Sequence, residues 1–473
     1  MSRTQLIHLL IFLATITFVV GGTIVMVRYA KGYRPTRSGS IKGTGLLSAN
    51  SFPTGAEVYI NGKLTTATDN TLNLDPADYQ IEIKKDGYHT WNKTVKIEAE
   101  LVTQTNAQLF PTSPSLEPLT YTGAQNSVPS PDGNKLAFAV ASASAAAKNG
   151  LYVQDLTSGP ISLNKSARQI ARTSAEYDYA TATYTWSPNG SELLVAFPSG
   201  AHILLDATRF NDVGSIKDVT ATLSQIWSEW ELELAREERT QVTKLPEFFQ
   251  NLATDSAKLG NTYFSPDGKK LLYQAIIPLD IPTELTPSLP ATSSQPEVRT
   301  LVPGKWYVYD LEEDKNFEVA VDSPTTAPAS PTPTPKTTKK LVPTPSAHPI
   351  FTPSKLSLLT SLSPIPAELG TSTSAYHRLQ TDVTREESIR LFNAQYSPIF
   401  VTGVQWYPDS SHLIFTTAKG IEIGEYDGTN RVTIYAGPMD NAFVYPWPDG
   451  SRIITRIQFS PDTIPNLYTI KVK

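Results

Sequence analysis

The 473-residue chain contains no cysteine. Disulfides, thiol nucleophiles and thiolate metal sites are excluded, while the redox compartment stays undetermined. Histidine is scarce: His8, His89, His202, His348, His377 and His412 are the whole set, and no two lie three or four residues apart. No helix can therefore present a paired-histidine zinc motif. Also missing are a Gly-x-Ser-x-Gly elbow, a Gly-Lys-Ser/Thr phosphate loop and a dinucleotide fingerprint. Positive charge is not in excess either. The formal net charge is −5 and the pI is near 5.8, which argues against a nucleic-acid partner. Asp310-Leu-Glu-Glu-Asp314-Lys-Asn316 gathers carboxylates but lacks the spaced ligands and central glycine of a calcium loop, so it reads as a solvated turn. The sequence thus offers no catalytic, cofactor-binding or metal-binding residue and implies no cofactor. It reads as non-enzymatic.

What the chain does have begins with an apolar run. Residues 6–27 hold no Asp, Glu, Lys or Arg. As a helix at about 1.5 Å per residue they would reach about 33 Å, enough to span a bilayer core. A signal-peptide core is shorter, about 7–15 residues, and no small-x-small cleavage site follows closely. The expectation is a retained single-pass membrane helix, with a cleaved signal or a buried core helix as alternatives. His8 lies near one end, within reach of the interface. Orientation is contested. Arg28, Lys31, Arg34, Arg37 and Lys42 follow the run, whereas only Arg3 and the amino terminus precede it. The positive-inside rule alone would place the bulk of the chain in the cytoplasm.

After a basic linker at 28–42, residues 43–111 alternate as strands do. Val58 and Ile60 interleave with Glu57 and Tyr59, and Asn61-Gly62 supplies the positive φ angles of a type I′ turn. Further strands are expected at 64–68, 72–74, 79–84, 91–97 and 101–109. These residues resemble the PEGA domain, a small β-sandwich of prokaryotic envelope proteins. The likeness runs through Ser48-x-x-Ser51-x-Pro53-x-Gly55-Ala56, Val58-Tyr59-Ile60-Asn61-Gly62-Lys63, Leu74-x-Pro76-x-x-Tyr79 and Lys85-x-Gly87-Tyr88. The position that gives the family its second letter holds Thr54 instead of Glu. The resemblance implies a structural or binding module near the membrane and no catalysis.

From residue 115 onward one pattern returns: a tight turn, then a short apolar strand. It occurs at Ser130-Pro131-Asp132-Gly133, Ser187-Pro188-Asn189-Gly190, Ser265-Pro266-Asp267-Gly268, Tyr407-Pro408-Asp409-Ser410 and Trp447-Pro448-Asp449-Gly450. Proline fixes φ, Asp or Asn bonds the backbone ahead, and glycine takes the positive φ that ends the turn. Third strands follow at 151–156, 202–206, 306–311, 421–426 and 467–472, and fourth strands at 317–321 and 431–435. Four strands per repeat signify a β-propeller. The repeats resemble TolB-like, WD-repeat-like propeller units over 115–473, with five or six blades; a solenoid or plain sandwich is the alternative. The last unit runs out of chain after three strands. Residues 118–122 are expected to complete it, because an open sheet edge would otherwise remain.

Two kinds of segment interrupt the repeats. Residues 219–257 have helical periodicity, with Leu223, Ile226, Trp227, Trp230 and Leu234 on one face and Glu229, Glu231, Glu233, Glu237 and Glu238 on the rest; Pro246 starts a second helix. The tryptophan stripe reads as packing on its own domain. Residues 278–303 form a Pro-rich loop, and 322–366 a Pro/Thr/Ser-rich tract expected to be disordered, after which 388–392 resumes the sheet. Such a tract, together with the two resemblances, favours the outside of the cell. The expectation is mainly β structure and a membrane-anchored, extracytoplasmic binding or scaffold protein that engages an envelope protein or cell-wall polymer. A cytoplasm-facing signalling or assembly platform and a propeller-borne hydrolase are the alternatives.

Overall fold

The computed structural model of the chain describes residues 3–30, 33–35, 41–157, 167–253, 258–287, 295–321, 403–439, 443–460 and 463–473. The Pro/Thr/Ser-rich tract at 322–366 and the strand expected at 388–392 lie outside the described residues. The fold is mainly β, in two compact units: Met1–Ser113 with Pro290–Pro296, and Pro114–Leu289 with Glu297–Lys473.

The first unit begins with helix α1, Arg3–Ala30, whose Leu10–Arg28 stretch has a mean hydropathy of 2.5 and none of its surface buried. The segment expected to be a plain linker instead contains a two-stranded ribbon, Tyr33–Pro35 against Ile41–Gly43. A sandwich follows. One sheet has the strand order Lys63–Ala67, Glu57–Ile60, Ala77–Lys84, Trp91–Ile97, and a three-stranded sheet is built from Val102–Gln104, Gly45–Ala49 and Asn70–Leu74. Alternate residues point inward: Val58, Ile60, Ile81, Ile83, Trp91, Val95 and Ile97 join Leu47 and Ala49 in one core. Asn61 and Gly62 take φ of 50° and 78°, as the hairpin requires.

The second unit contains five four-stranded antiparallel sheets among the described residues, the blades of a β-propeller. The first strands of successive sheets are Gln125–Pro129, Thr183–Trp186, Leu259–Phe264, Val404–Trp406 and Val444–Pro446. The fifth sheet is completed from the other end of the unit, since Leu116–Pro118 pairs antiparallel with Asn466–Lys471. The expected closure is therefore present, starting two residues earlier than the sequence suggested. Beyond Pro118 the amides of Leu119 and Thr120 both reach the Leu467 carbonyl, so the chain turns off the sheet there.

Buried clusters knit neighbouring sheets. One joins the first and second through Leu151, Ile170, Tyr184 and Trp186, and one joins the third and fourth through Tyr263, Trp306, Trp406 and Phe415. Another joins the fifth and first through Tyr445, Ile454, Leu136 and Phe138. Between the second and third sheets stand helices α2, Leu223–Val242, and α3, Glu247–Ala253. Leu223, Trp227, Trp230 and Leu234 of α2 pack on Leu194 of the second sheet, while Leu245, Phe249 and Leu252 pack on Leu271, Tyr273 and Tyr309 of the third. The tryptophan stripe of the insert is core, as expected. Glu231, placed on the polar face by the sequence, is 0% exposed: the apolar arc is wide enough to carry its neighbour inward. Pro246 lies just before α3, and its carbonyl accepts the Gln250 amide that closes the first turn.

Candidate functional site

In an antiparallel meander, the first-to-second and third-to-fourth connections share one rim, and the remaining connections share the other. The repeated turns occupy the first rim. Their side chains bond within the turn itself. Asp267 Oδ1 accepts from Ser265 Oγ at 2.6 Å and from the Lys269 amide at 3.0 Å, and Asp132 and Asn189 make the same pair of bonds. Asp409 accepts from the Ser411 and His412 amides and from His412 Nδ1 at 2.7 Å. Burial alone would raise the Asp132 carboxyl, but bonds from Ser130 and Asn134 hold it below the usual range. At Asp409 burial likewise works upward, and the adjoining His412 overcomes it. The repeated acids form turns, as the sequence implied.

The turns also grip one another. Lys135 Nζ donates to the Gly190 carbonyl at 2.8 Å, the Asp267 amide to Ser410 Oγ at 3.0 Å, and the Tyr407 hydroxyl to the Gly450 carbonyl. Three of the five junctions between successive turns are bridged in this way.

The 310–316 turn is only partly solvated, where the sequence reading had it wholly so. Asp310, Asp314 and Asn316 are all buried. Asp310 accepts from the Tyr426 hydroxyl at 2.9 Å and lies 3.8 Å from Lys270 Nζ, while Asp314 accepts from Arg299 and Tyr309. Asn316 accepts from Tyr273 at 2.8 Å and donates to the Val298 carbonyl. The Pro-rich loop folding back over the third sheet supplies Arg299 and Val298, which is why local sequence gave no sign of it. These carboxylates are held by donors, and no group of three or more His, Asp or Glu suited to a metal occurs among the described residues.

The opposite rim is built differently. The three longest connections emerge there, 219–258, 276–305 and 320–403, beside the shorter 119–124, 141–149, 173–182, 436–443 and 458–465, while 156–167 and 207–216 belong to the turn rim. Of the large apolar side chains exposed among the described residues of this unit, Tyr121, Ile276, Val302, Phe459 and Ile464 lie in these connections, as does Leu232 on α2, whereas Phe210 and Val213 lie on the turn rim. Tyr121 is 80% exposed and Phe459 57%. Their two connections are tied together, since the Ala124 amide donates to the Pro465 carbonyl at 3.0 Å and Thr120 Oγ1 to Asn466 Oδ1 at 3.0 Å. Phe459 stacks edge-on against Tyr468, with ring centroids 5.4 Å apart. Exposed aromatic groups on a rigid frame make this rim the candidate contact surface. The sequence contained one signal for it, aromatics and isoleucine within Gly/Pro/Asn-rich connections, but not which rim they share.

Residues 44–113 match the family model of the PEGA domain. No curated protein sequence matches the chain. Similar solved structures include a putative TolB from Agrobacterium tumefaciens, 12% identical over 74% of this chain and 78% of that one, with a TM-score of 0.20. An oligogalacturonate lyase in complex with manganese is 8% identical over 84% and 86%, with a TM-score of 0.23. The β-propeller domain of Myceliophteria thermophila Cps50 (Swd1) is 12% identical over 76% and 99%, with a TM-score of 0.24. At TM-scores this low, likeness to these structures says nothing about ligand or chemistry.

Proposed function

We propose that this chain is a membrane-anchored, extracytoplasmic, non-enzymatic binding or scaffold protein of the cell envelope, holding an envelope protein or wall polymer on the insert-bearing rim. The observation that carries the binding role is the concentration of exposed Tyr121, Phe459, Ile464, Ile276 and Val302 on one rim, opposite a rim where neighbouring turns bond to one another. The anchor rests on α1, whose apolar stretch is covered by none of the described residues and is long enough to span a bilayer core. The PEGA match at 44–113 supports an envelope setting.

Capture from crosslinked membranes, run beside a peptidoglycan pull-down, tests this reading. The wild-type chain should retain a protein or the wall polymer, and the Tyr121→Ser/Phe459→Ser variant should lose it. Retention of neither by the wild type defeats the proposal. The basic residues after α1 favour a second reading, a cytoplasm-facing platform. Protease shaving of intact cells separates the two: a C-terminal tag that survives shaving selects the cytoplasmic one.

A further inference from the structure

The sandwich of the first unit has one sheet edge that nothing blunts. An edge strand offers unpaired amides and carbonyls to other chains, and charge, proline, a bulge or shortness normally guards it. The fourth strands of the propeller sheets follow this rule. Arg168–Arg172 and Lys315–Val319 carry charges, Leu116–Pro118 ends in proline, Val432–Tyr435 pairs through a register shift, and Lys217–Asp218 is two residues long. In the sandwich, Lys63–Ala67 combines Lys63 with a register shift, Trp91–Ile97 carries Lys93 and Lys96, and Val102–Gln104 is three residues long. Asn70–Leu74 has none of these devices. It is uncharged and free of proline, and it pairs in unbroken register with Gly45–Ala49. Its other side has no strand among the described residues.

The direction of its backbone groups follows from the neighbouring strand. The Leu46 amide donates to the Leu101 carbonyl at 2.9 Å, and the Ser48 carbonyl accepts the Thr105 amide at 3.1 Å, so both residues face the Val102–Gln104 side. Gly45, Leu47 and Ala49 therefore face the other way, bonding to Leu74, Leu72 and Asn70. That turns the amides and carbonyls of Thr71 and Asn73 to the open side. The Thr71 amide is held by Asn70 Oδ1 at 2.8 Å, whereas the Asn73 amide and carbonyl have no partner among the described residues. Leu72 and Leu74 pack half-buried on the sandwich core, where an added strand would cover them further. Exposed acids bracket the edge, Asp69 before it and Asp75 after it. Antiparallel pairing with a second copy through both Thr71 and Asn73 would set Asp69 of one copy opposite Asp75 of the other, an unfavourable like-charge pair. We propose that Asn70–Leu74 is a strand-addition site for an extended segment of another protein, with Lys or Arg at its ends to meet Asp69 and Asp75. Main-chain bonds to Asn73 and Thr71 supply affinity, and an apolar side chain beside Leu72 supplies selectivity. The site belongs to the first unit and does not rest on the rim proposed for binding.

The test titrates the full chain in detergent micelles with a short fluorescent peptide that alternates threonine and valine between terminal lysines. Anisotropy should rise saturably. Hydrogen exchange should show new protection at the Asn73 amide, while Leu72 and Leu74, already paired, stay unchanged. A fully N-methylated analogue should not bind, and terminal glutamates in place of the lysines should weaken binding by up to about fivefold for each charge pair. Asn73→Pro removes the outward donor and keeps the ladder to Gly45–Ala49, so it should weaken binding at least about fivefold. Should that variant melt early, Asp75→Lys, which leaves the backbone unchanged, decides: it should shrink the preference for lysine ends. No saturable binding, equal binding of the N-methylated analogue, no new protection at Asn73, or an unchanged preference in Asp75→Lys overturns the proposal. Self-association of the peptide-free chain that Asn73→Pro abolishes would assign the edge to a second copy and overturn it too.

Discussion

The Trp406 indole nitrogen donates a hydrogen bond to the Tyr263 carbonyl at 3.1 Å, joining the first strands of the third and fourth sheets. Trp186 does the same to Val128 at 3.0 Å between the first and second sheets. In both cases the tryptophan ends its strand just before the repeated turn, and the acceptor lies on the preceding sheet's first strand. The aromatic position of the repeat is thus an inter-sheet fastener. Trp406→Phe keeps most of the buried ring but strands the Tyr263 carbonyl, and should cost about 1–3 kcal/mol in chemical denaturation. An effect below about 0.5 kcal/mol would show that the bond contributes nothing beyond burial.

Ser410 occupies the turn position that is glycine in the other four repeats, with φ of 60°. Its hydroxyl accepts the Asp267 amide of the neighbouring turn. Ser410→Ala loses that bond and keeps the strained backbone. Ser410→Gly loses the bond but relieves a left-handed conformation worth about 1–2 kcal/mol to a residue bearing Cβ. The alanine variant should therefore melt below the glycine variant, and the reverse order would refute the assignment.

The helical insert is expected to behave as part of the ring. Trp227 is fully buried against the second sheet, so Trp227→Ala should destabilise the second unit by about 3–5 kcal/mol. Leu232→Ala, on the exposed side of the same helix, should stay within about 0.5 kcal/mol. Urea titrations of the two variants giving equal losses would mean that the insert does not pack on the second sheet through its tryptophan face.

Acid should loosen the turn rim. The carboxyls of Asp132 and Asp409 are held below their ordinary range in the folded chain. A group of this kind contributes stability above its unfolded pKa, about 3.9, and loses it as pH falls through the lower folded value. The urea midpoint should drop between about pH 5 and pH 2, and the drop should be smaller in Asp132→Asn/Asp409→Asn. An equally steep fall in the double variant would assign the acid sensitivity to other groups.

The exposed rim should tolerate change without loss of fold. Tyr121→Ser and Phe459→Ser remove side chains that are mostly in water, so the melting temperature should hold while captured partner is lost. A substantial drop in melting temperature would reassign these aromatics to packing.

Much of the architecture was legible because it depends on contacts between near neighbours. Asn61-Gly62 announces a hairpin, and Ser265-Pro266-Asp267-Gly268 announces a turn whose bonds close within five residues. Even the closing strand could be anticipated, since a three-strand unit at the chain's end leaves an edge to be paired. The misreadings share a cause. Glu231, Asp310 and Asp314 look solvent-seeking in sequence, yet each is buried once the chain folds. Arg299, for example, reaches Asp314 from the Pro-rich loop. The rim proposed for binding was invisible for the same reason, because Tyr121 and Phe459 are 338 positions apart in the chain and belong to connections that meet only where Leu116–Pro118 pairs with Asn466–Lys471.

By itself the sequence determined the local grammar: an apolar helix, a PEGA-like sandwich, and a repeated turn that sets strand length and order. Backbone φ preferences and the alternation of apolar residues act within a few positions, and they suffice for that. Only the tertiary structure decided that the helical insert packs on the second and third sheets, that neighbouring turns bond to one another through Lys135, Ser410 and Tyr407, and that Tyr121 and Phe459 stand exposed on the opposite rim. Those outcomes depend on which distant surfaces exclude water together, and no short stretch of sequence carries that information.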